Sequence, residues 1–326
     1  MYYCSRDCLE EDKKRGHRLE CPYFIKQQTI IENKDFIGPF SSADLRVLLR
    51  YILKCRHHNG KALKMKFKLY DGRARRLKSL MDHADDLKTK QQVQNQFLTL
   101  AKFNKMGIEL TYDELIKFYG QLAINSWIID DEITGADLGL GLFVEVSIFN
   151  HSCQPNASHV FNSNHIQFRA IKPIDTDNEE ILVNYTPILA TKYKRQDYLA
   201  RHYFFKCDCR RCLIPCDIGL NCLLETNLQA LIEDGYNPFK HSKMNKIYKQ
   251  IVTLLKTLVG EYHPTITKFY LEALKNLKYM DTNYRLRNEP RLIEKASMAA
   301  LMTHGSDHPI FEFYGLNVNR FIRTNG

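Results

Sequence analysis

The chain has 326 residues, 44% of them hydrophobic, with ten cysteines and a formal net charge of +10. No stretch approaches 18 consecutive apolar residues, and the first residues, MYYCSRDC, are not apolar. We therefore expect neither a membrane span nor a secretory signal peptide. The composition predicts a soluble protein of the cytoplasm and nucleus, large enough for one large domain or two to three smaller ones.

The first 125 residues predict three helices. Ser41 or Ser42 would cap the first, whose apolar side chains recur at helical spacing: Leu45, Leu48, Leu49, Ile52 and Leu53. Residues 86–104 predict a second helix. The capping box Thr111-x-x-Glu114 predicts a third, which runs towards Asn125.

Residues 61–78 (KALKMKFKLYDGRARRLK) are strongly basic, with eight Lys and Arg residues against one Asp. Such a segment is usually a solvated face, and otherwise a surface for nucleic acid or another acidic partner. Nucleic acid is weakly supported, because the segment lacks the interleaved aromatic residues on which single-stranded bases stack.

The middle of the chain predicts short strands. The runs 142–149, 159–171 and 179–186 are rich in β-branched and aromatic residues, and Asn162-Ser163-Asn164 is typical of a hairpin turn. Beyond about residue 225 the pattern is helical. There Gly260-x-x-His263-Pro264 and Gly305-x-x-His308-Pro309 each predict the end of one helix and the start of the next, as in helical hairpins.

Four cysteines of the middle region are candidate metal ligands. Cys207-x-Cys209-x-x-Cys212 places three thiols within six residues, and Cys153 in the polar turn NHSCQPN (150–156) is the natural fourth. In a reducing compartment closely spaced cysteines favour metal over disulfides. The entropic cost of closing a loop of about 54 residues grows only with the logarithm of the loop length. Zinc–thiolate binding, on the order of 10 kcal/mol, exceeds this cost. Four thiolates leave no position for water, so this zinc would be structural.

Two alternatives exist for Cys153. It could be a nucleophile beside His151, or these cysteines could be ordinary buried thiols. A second cluster, Cys4-x3-Cys8-x8-His17-x3-Cys21, has the spacing of the later half of a zinc finger.

The motifs NHSCQPNA, EEILVNYT and HYFFKCDCRRC follow one another in the order of a SET domain with its post-SET cysteines. Preceded by YYCSRDC and HRLEC, they resemble the SMYD family, the SET and MYND domain protein-lysine methyltransferases. The resemblance implies an α+β fold with a SET-type β-rich catalytic core, zinc-binding segments and a C-terminal all-α, tetratricopeptide-like domain of helical hairpins. Its implied divisions are a partial MYND finger (1–21), a helical insert and linker (22–124), the SET core (125–187), a post-SET zinc segment (188–222) and the helical repeat domain (223–326).

The resemblance also implies functions for individual residues. The structural zinc would take Cys153, Cys207, Cys209 and Cys212. S-adenosylmethionine would be bound by Asn125, Asn150, His151, Tyr203 and Phe205. The substrate lysine would enter a channel walled by Trp127, Tyr185 and Tyr203, with the two tyrosines as catalytic residues. The substrate would be a histone or another lysine-containing protein, and protein partners would bind the C-terminal helices.

Two departures from the family pattern bear on activity. The family's Gly-containing N-terminal strand and the first two cysteine pairs of its MYND finger do not precede Met1, so we expect a truncated sequence or a single zinc on Cys4, Cys8, His17 and Cys21. Trp127 stands where the family usually has Phe, which would narrow the channel. The alternative to an active enzyme is a catalytically weak or inactive scaffold that binds protein partners.

Overall fold

The chain divides into two compact units. Unit 1 comprises Met1–Ile129 and Asp137–Ile148, and unit 2 comprises Asp130–Ala136 and Phe149–Gly326. The computed structural model describes residues 5–32, 43–88, 99, 101, 103–131, 133, 136–162, 165–175, 179–213 and 241–316. None of the helices within these ranges is long and apolar enough to cross a bilayer.

The α-helices of unit 1 include α1 (Arg6–Asp12), α2 (Arg18–Glu32), α3 (Ala43–Lys64), α4 (Ala84–Lys88) and α5 (Tyr112–Asn125), and a π-helical segment (Lys13–His17) joins the first two. Residues 103–105 are also helical. The capping box of α5 is confirmed, because Thr111 and Glu114 bond each other's backbone N–H groups. The predicted apolar face of α3 is confirmed too, with Leu48, Leu49 and Ile52 buried in the core. The serine cap predicted for α3 and much of the helix predicted over 86–104 lie outside the described residues.

The strands of unit 1 form two pairs. The basic segment 61–78 runs from the end of α3 into an antiparallel hairpin of β1 (Lys66–Lys68) and β2 (Ala74–Arg76). The second pair is β3 (Ser126–Asp130), whose last residue belongs to unit 2, and β4 (Asp137–Leu142).

The prediction of a strand over residues 142–149 is wrong. The chain leaves β4 at Leu142 and enters a 3-10 turn over Val144–Val146. The hydroxyl of Ser147 donates to the carbonyl of Val144 at 2.7 Å. A local hydrogen bond of this kind competes with the pairing of a strand, and the apolar composition of the run does not reveal it.

Unit 2 begins with four short strands: β5 (Asn150–His151), β6 (Ala157–Asn162), β7 (His165–Ala170) and β8 (Leu182–Val183). The hairpin of β6 and β7 is antiparallel, with Asn162 opposite His165 at the predicted turn, whose residues 163 and 164 lie outside the described residues. β5 and β8 pair in parallel. The strand predicted over 179–186 is thus confined to two residues.

The remainder of unit 2 is helical within its described residues: α6 (Lys192–His202), α7 (Arg210–Leu213), α8 (His241–Val259), α9 (Pro264–Leu277), α10 (Thr282–His304) and α11 (Ile310–Tyr314). Both predicted helix boundaries are confirmed. Gly260 follows α8 with φ +97° and His263 caps α9, while Gly305 ends α10 with φ +87°. α8, α9 and α10 pack on one another in sequence. The class predicted from the sequence, a mixture of helices and strands with C-terminal helices, is confirmed.

The C-terminal helices contact the β6–β7 hairpin directly. α10 packs on both strands. Nε2 of His308 donates to the carbonyl of Phe161 at 2.9 Å, because its Nδ1 accepts from the N–H of Ile310. His308 is buried. The second copy of the Gly-x-x-His-Pro motif therefore supplies both a helix boundary and a hydrogen bond to the sheet.

Candidate metal centre and active site

The segment NHSCQPN (150–156) is held against β8 by its own polar groups. The N–H of Ser152 donates to the carbonyl of Val183 at 2.9 Å. Asn156 accepts from the N–H of Leu182 at 2.8 Å through Oδ1, and its Nδ2 donates to the carbonyl of Glu180 at 2.9 Å. Sequence reasoning missed Asn156. Its position at the end of a tight turn is a signal, since an amide side chain offers the donor and acceptor of a peptide group.

The four predicted zinc ligands of the middle region come together. The Sγ atoms of Cys153, Cys207, Cys209 and Cys212 all lie within 4.8 Å of one another. The Sγ atoms of Cys153 and Cys212 are 3.5 Å apart, far beyond the ~2.05 Å of a disulfide bond, and all four cysteines are free. The neighbouring side chains of Cys153, Cys207 and Cys212 lower the pKa of the Cys209 thiol.

The spacing of the sulfurs fits a tetrahedral zinc. Zinc–sulfur bonds of about 2.3 Å place the four sulfurs of a tetrahedron about 3.8 Å apart. The backbone around the ligands is fixed as well: Gln196 accepts from the N–H of Cys207 at 3.0 Å and donates to its carbonyl at 2.6 Å. Buried Arg211 donates to the carbonyls of Cys153 and Ile188. A donor set of four thiols in a rigid frame suits a structural metal ion.

The N-terminal candidates are placed differently. Cys8 is exposed and Cys21 half-buried, while Nδ1 of His17 lies 3.3 Å from a carboxylate oxygen of Glu20. Glu20 is fully buried and receives hydrogen bonds from Arg50 as well. Among the described residues these side chains do not lie close enough together to share a metal ion. Cys4 lies outside the described residues, so the single N-terminal zinc stays a prediction.

His151 links β8 to the cysteine cluster. Its Nδ1 accepts from the N–H of Tyr185 at 2.9 Å, and its Nε2 lies 3.3 Å from Sγ of Cys153. In a neutral imidazole with Nδ1 as acceptor, the proton is on Nε2 and points at the sulfur. Burial lowers the pKa of His151 to about 4, which favours this neutral form. Both ring nitrogens thus have partners within the protein. This arrangement positions the loop and leaves neither nitrogen available to act as a general base.

Three aromatic residues pack beside this loop. The rings of Tyr185 and Tyr203 lie 4.7 Å apart between centroids, and Phe205 lies 5.9 Å from His151. The hydroxyl of Tyr185 donates to the carbonyl of Phe149. Burial raises the pKa of Tyr203, so its side chain is a neutral phenol at physiological pH. All three rings pack against the buried part of the cysteine cluster.

The remaining predicted site residues are Asn125, Trp127 and Asn150. Asn125 and Trp127 belong to unit 1, where Asn125 is buried and its Nδ2 donates to the carbonyls of Met81 and Gln121. Trp127 is half-buried in β3. In unit 2 Asn150 is exposed, and its amide donates to a carboxylate oxygen of Glu180 at 2.5 Å.

Comparison with known proteins gives the class to which this site belongs. The SET-domain family model matches residues 4–186. The chain is 27% identical over 276 residues to histone-lysine N-methyltransferase SMYD3 of Mus musculus, which covers 84% of the chain and 61% of that protein. It is 28% identical over 212 residues to N-lysine methyltransferase SMYD2 of Gallus gallus, covering 65% of the chain and 45% of that protein. Histone-lysine N-methyltransferase ASHR1 of Arabidopsis thaliana is 28% identical over 234 residues, 69% of the chain and 45% of that protein.

These findings define a family. The match to the SET-domain model covers more than half of the chain, and the relatives that align with it include SMYD3 and SMYD2 proteins. The chain belongs to the SET-domain family and, within it, to the SMYD group. The matches span 61% of the SMYD3 relative and 45% of the other two.

Proposed function

We propose that this chain is an S-adenosylmethionine-dependent protein-lysine N-methyltransferase that acts on a histone or another lysine-containing protein. The observation that carries the proposal is the pair of phenols, Tyr185 and Tyr203, packed beside the NHSCQPN segment and the four-cysteine cluster. The free thiols fit a reducing compartment, and we place the protein in the cytoplasm and nucleus.

Methyl transfer to lysine requires a neutral amine with its lone pair aligned. When bound, S-adenosylmethionine would supply an electrophilic methyl group on a positively charged sulfonium. The unperturbed pKa of lysine is about 10.4, and a dry aromatic channel disfavours the charged ammonium. Tyr185 and Tyr203 would wall this channel, and the assignment of Trp127 to it stays a prediction from the sequence.

The two tyrosine hydroxyls suit orientation of the amine. Tyr185 donates its proton to the carbonyl of Phe149, so its oxygen offers lone pairs that can accept an N–H of the amine. Tyr203 stays protonated, since burial raises its pKa. Neither hydroxyl needs to act as a base. Holding the amine in line with the methyl group is where much of the acceleration would arise.

The residues predicted to bind S-adenosylmethionine differ in whether their polar atoms are available to a ligand. The amide nitrogen of Asn125 and both ring nitrogens of His151 already have partners, so we assign these residues to positioning the backbone. Asn150 is exposed, and its contact with Glu180 is one that a ligand can replace. Phe205 offers its ring for packing on the adenine.

Replacing Asn150 by alanine should weaken binding of S-adenosylmethionine. A lost hydrogen bond to a polar ligand is worth about 1 kcal/mol, which corresponds to roughly a fivefold higher Kd. Calorimetric titration of the full chain measures this change. Asn283→Ala on the exposed surface of α10 is the matched control and should leave the affinity unchanged. Equal affinity for Asn150→Ala and the parent chain would place the cofactor elsewhere.

The second candidate function is a protein-binding scaffold. It is favoured by large apolar side chains on the C-terminal helices that are exposed in the structure, among them Leu286 and Phe313. Exposed apolar residues of this size are typical of protein interfaces when they cluster. A scaffold would bind protein partners through these helices and show no methyl transfer, whether or not S-adenosylmethionine is present.

A further inference from the structure

A cavity of about 270 Å³ lies between α8, α9 and α10, within unit 2. Its apolar floor includes Val252, Ala273 and Leu277, all buried. Aromatic rings of Tyr248 and Tyr270 complete the wall. The volume is just below the usual range of small-molecule sites, so it suits a compact ligand with a planar body.

Positive charge converges on the rim of this cavity. Lys249, Lys256, Arg291 and Lys295 all line it. Lys256 pairs with Glu261, which also attracts Lys295, whereas Lys249 and Arg291 form no ion pair with a carboxylate within the described part of the chain. The pKa of Lys295 is lowered, first by burial and then by the charges of Arg291, Lys256 and Lys249. The nearby carboxylate of Glu272 pairs with Lys275.

An asparagine in the wall also lacks a partner. Asn245 lines the cavity, and neither Oδ1 nor Nδ2 has a hydrogen-bond partner among the described residues, although both atoms are buried. Burying an amide without hydrogen bonds is unfavourable. The terminal torsion of asparagine is soft, so a small rotation would present both atoms to an occupant.

We propose that this cavity binds a small organic phosphate with a planar ring, of the size of a purine mononucleotide. A phosphate monoester carries between one and two negative charges at neutral pH, which matches the excess of positive charge on the rim. The aromatic and apolar walls suit the ring. The amide of Asn245 offers one donor and one acceptor, and that pair is complementary to the donor–acceptor edge of adenine. This site is separate from the proposed methyltransferase chemistry.

The test is a calorimetric titration of the full chain with AMP, in the presence of saturating S-adenosylhomocysteine so that a cofactor site does not contribute. AMP should bind, binding should weaken as salt is raised, and adenosine without phosphate should bind at least about tenfold more weakly. Arg291→Gln should raise the Kd for AMP by about tenfold. Arg287→Gln, one turn earlier on α10, exposed and outside the cavity, is the matched control and should change it less than about twofold.

A second variant separates recognition of the base from attraction of charge. Asn245→Ala should reduce the preference for AMP over ribose 5-phosphate, while the salt dependence remains. The proposal is overturned if AMP gives no heat of binding in either the absence or the presence of S-adenosylhomocysteine. It is also overturned if S-adenosylhomocysteine displaces AMP, or if the Arg291→Gln and Arg287→Gln variants bind AMP equally well. These outcomes do not bear on methyl transfer, which the Tyr185 variant tests independently.

Discussion

Cys209→Ser should remove one equivalent of zinc from the chain and sharply destabilise unit 2. The four Sγ atoms lie within 4.8 Å of one another, and serine cannot supply a thiolate to complete the tetrahedron. Binding of a structural zinc contributes on the order of 10 kcal/mol to folding, so losing it should dominate any local change in packing. Metal analysis of the purified variant, together with thermal unfolding, measures both effects.

A second buried cysteine provides the matched control for the zinc prediction. Cys55 is fully buried in the core of unit 1 and lies outside the four-cysteine cluster. Cys55→Ser should therefore lower the free energy of unfolding, because it buries a hydroxyl group in an apolar core. The zinc stoichiometry should stay as in the parent chain. Unchanged zinc content in Cys209→Ser would show that the four thiols are not a metal site.

Tyr185→Phe should reduce the turnover number for methyl transfer by about 100-fold, the order of effect expected when a reacting group is misaligned. The ring that shapes the channel remains, but the oxygen that would orient the amine is removed. Affinity for S-adenosylmethionine should change less than about twofold, because the lost interaction is made with the transition state. The variant also loses the hydrogen bond to Phe149, which should lower stability by about 1 kcal/mol.

Tyr198→Phe is the matched control for this variant. Tyr198 lies on α6 next to the same cluster, 6.3 Å from Tyr203 between ring centroids, and its ring stacks on His202. Its hydroxyl has no part in the proposed orientation of the amine, so turnover should stay close to that of the parent chain. If Tyr185→Phe retains full turnover, or if both variants lose it equally, the proposed mechanism is wrong.

Local sequence signals predicted those parts of the structure that depend on neighbouring residues. The helix cap at Thr111 and Glu114 is set by contacts three residues apart. The Gly260 and Gly305 boundaries follow from backbone conformations that glycine adopts most easily. Cys207, Cys209 and Cys212 are close in sequence, so their grouping follows from spacing, and the polar turn around Cys153 indicated the fourth member.

Features that depend on distant residues could not be predicted in the same way. At the turn that follows Leu142, the carbonyl of Ser147 accepts a hydrogen bond from Arg75 of β2 at 2.8 Å, a partner 72 residues away that the hydrophobic pattern does not show. Asn156 takes its importance from a strand that follows it by more than twenty residues. The hydrogen bond from Tyr185 to Nδ1 of His151 forms only when β5 and β8 are brought together.

The central claim is that this chain transfers a methyl group from S-adenosylmethionine to lysine. The most direct measurement is incubation of the full chain with labelled S-adenosylmethionine and a lysine-rich protein substrate, such as core histones, followed by mass spectrometry to locate the label. We expect label on lysine side chains, loss of this label with Tyr185→Phe and its retention with Tyr198→Phe. No transfer to lysine by a chain that binds both zinc and S-adenosylmethionine would contradict the claim and favour the scaffold.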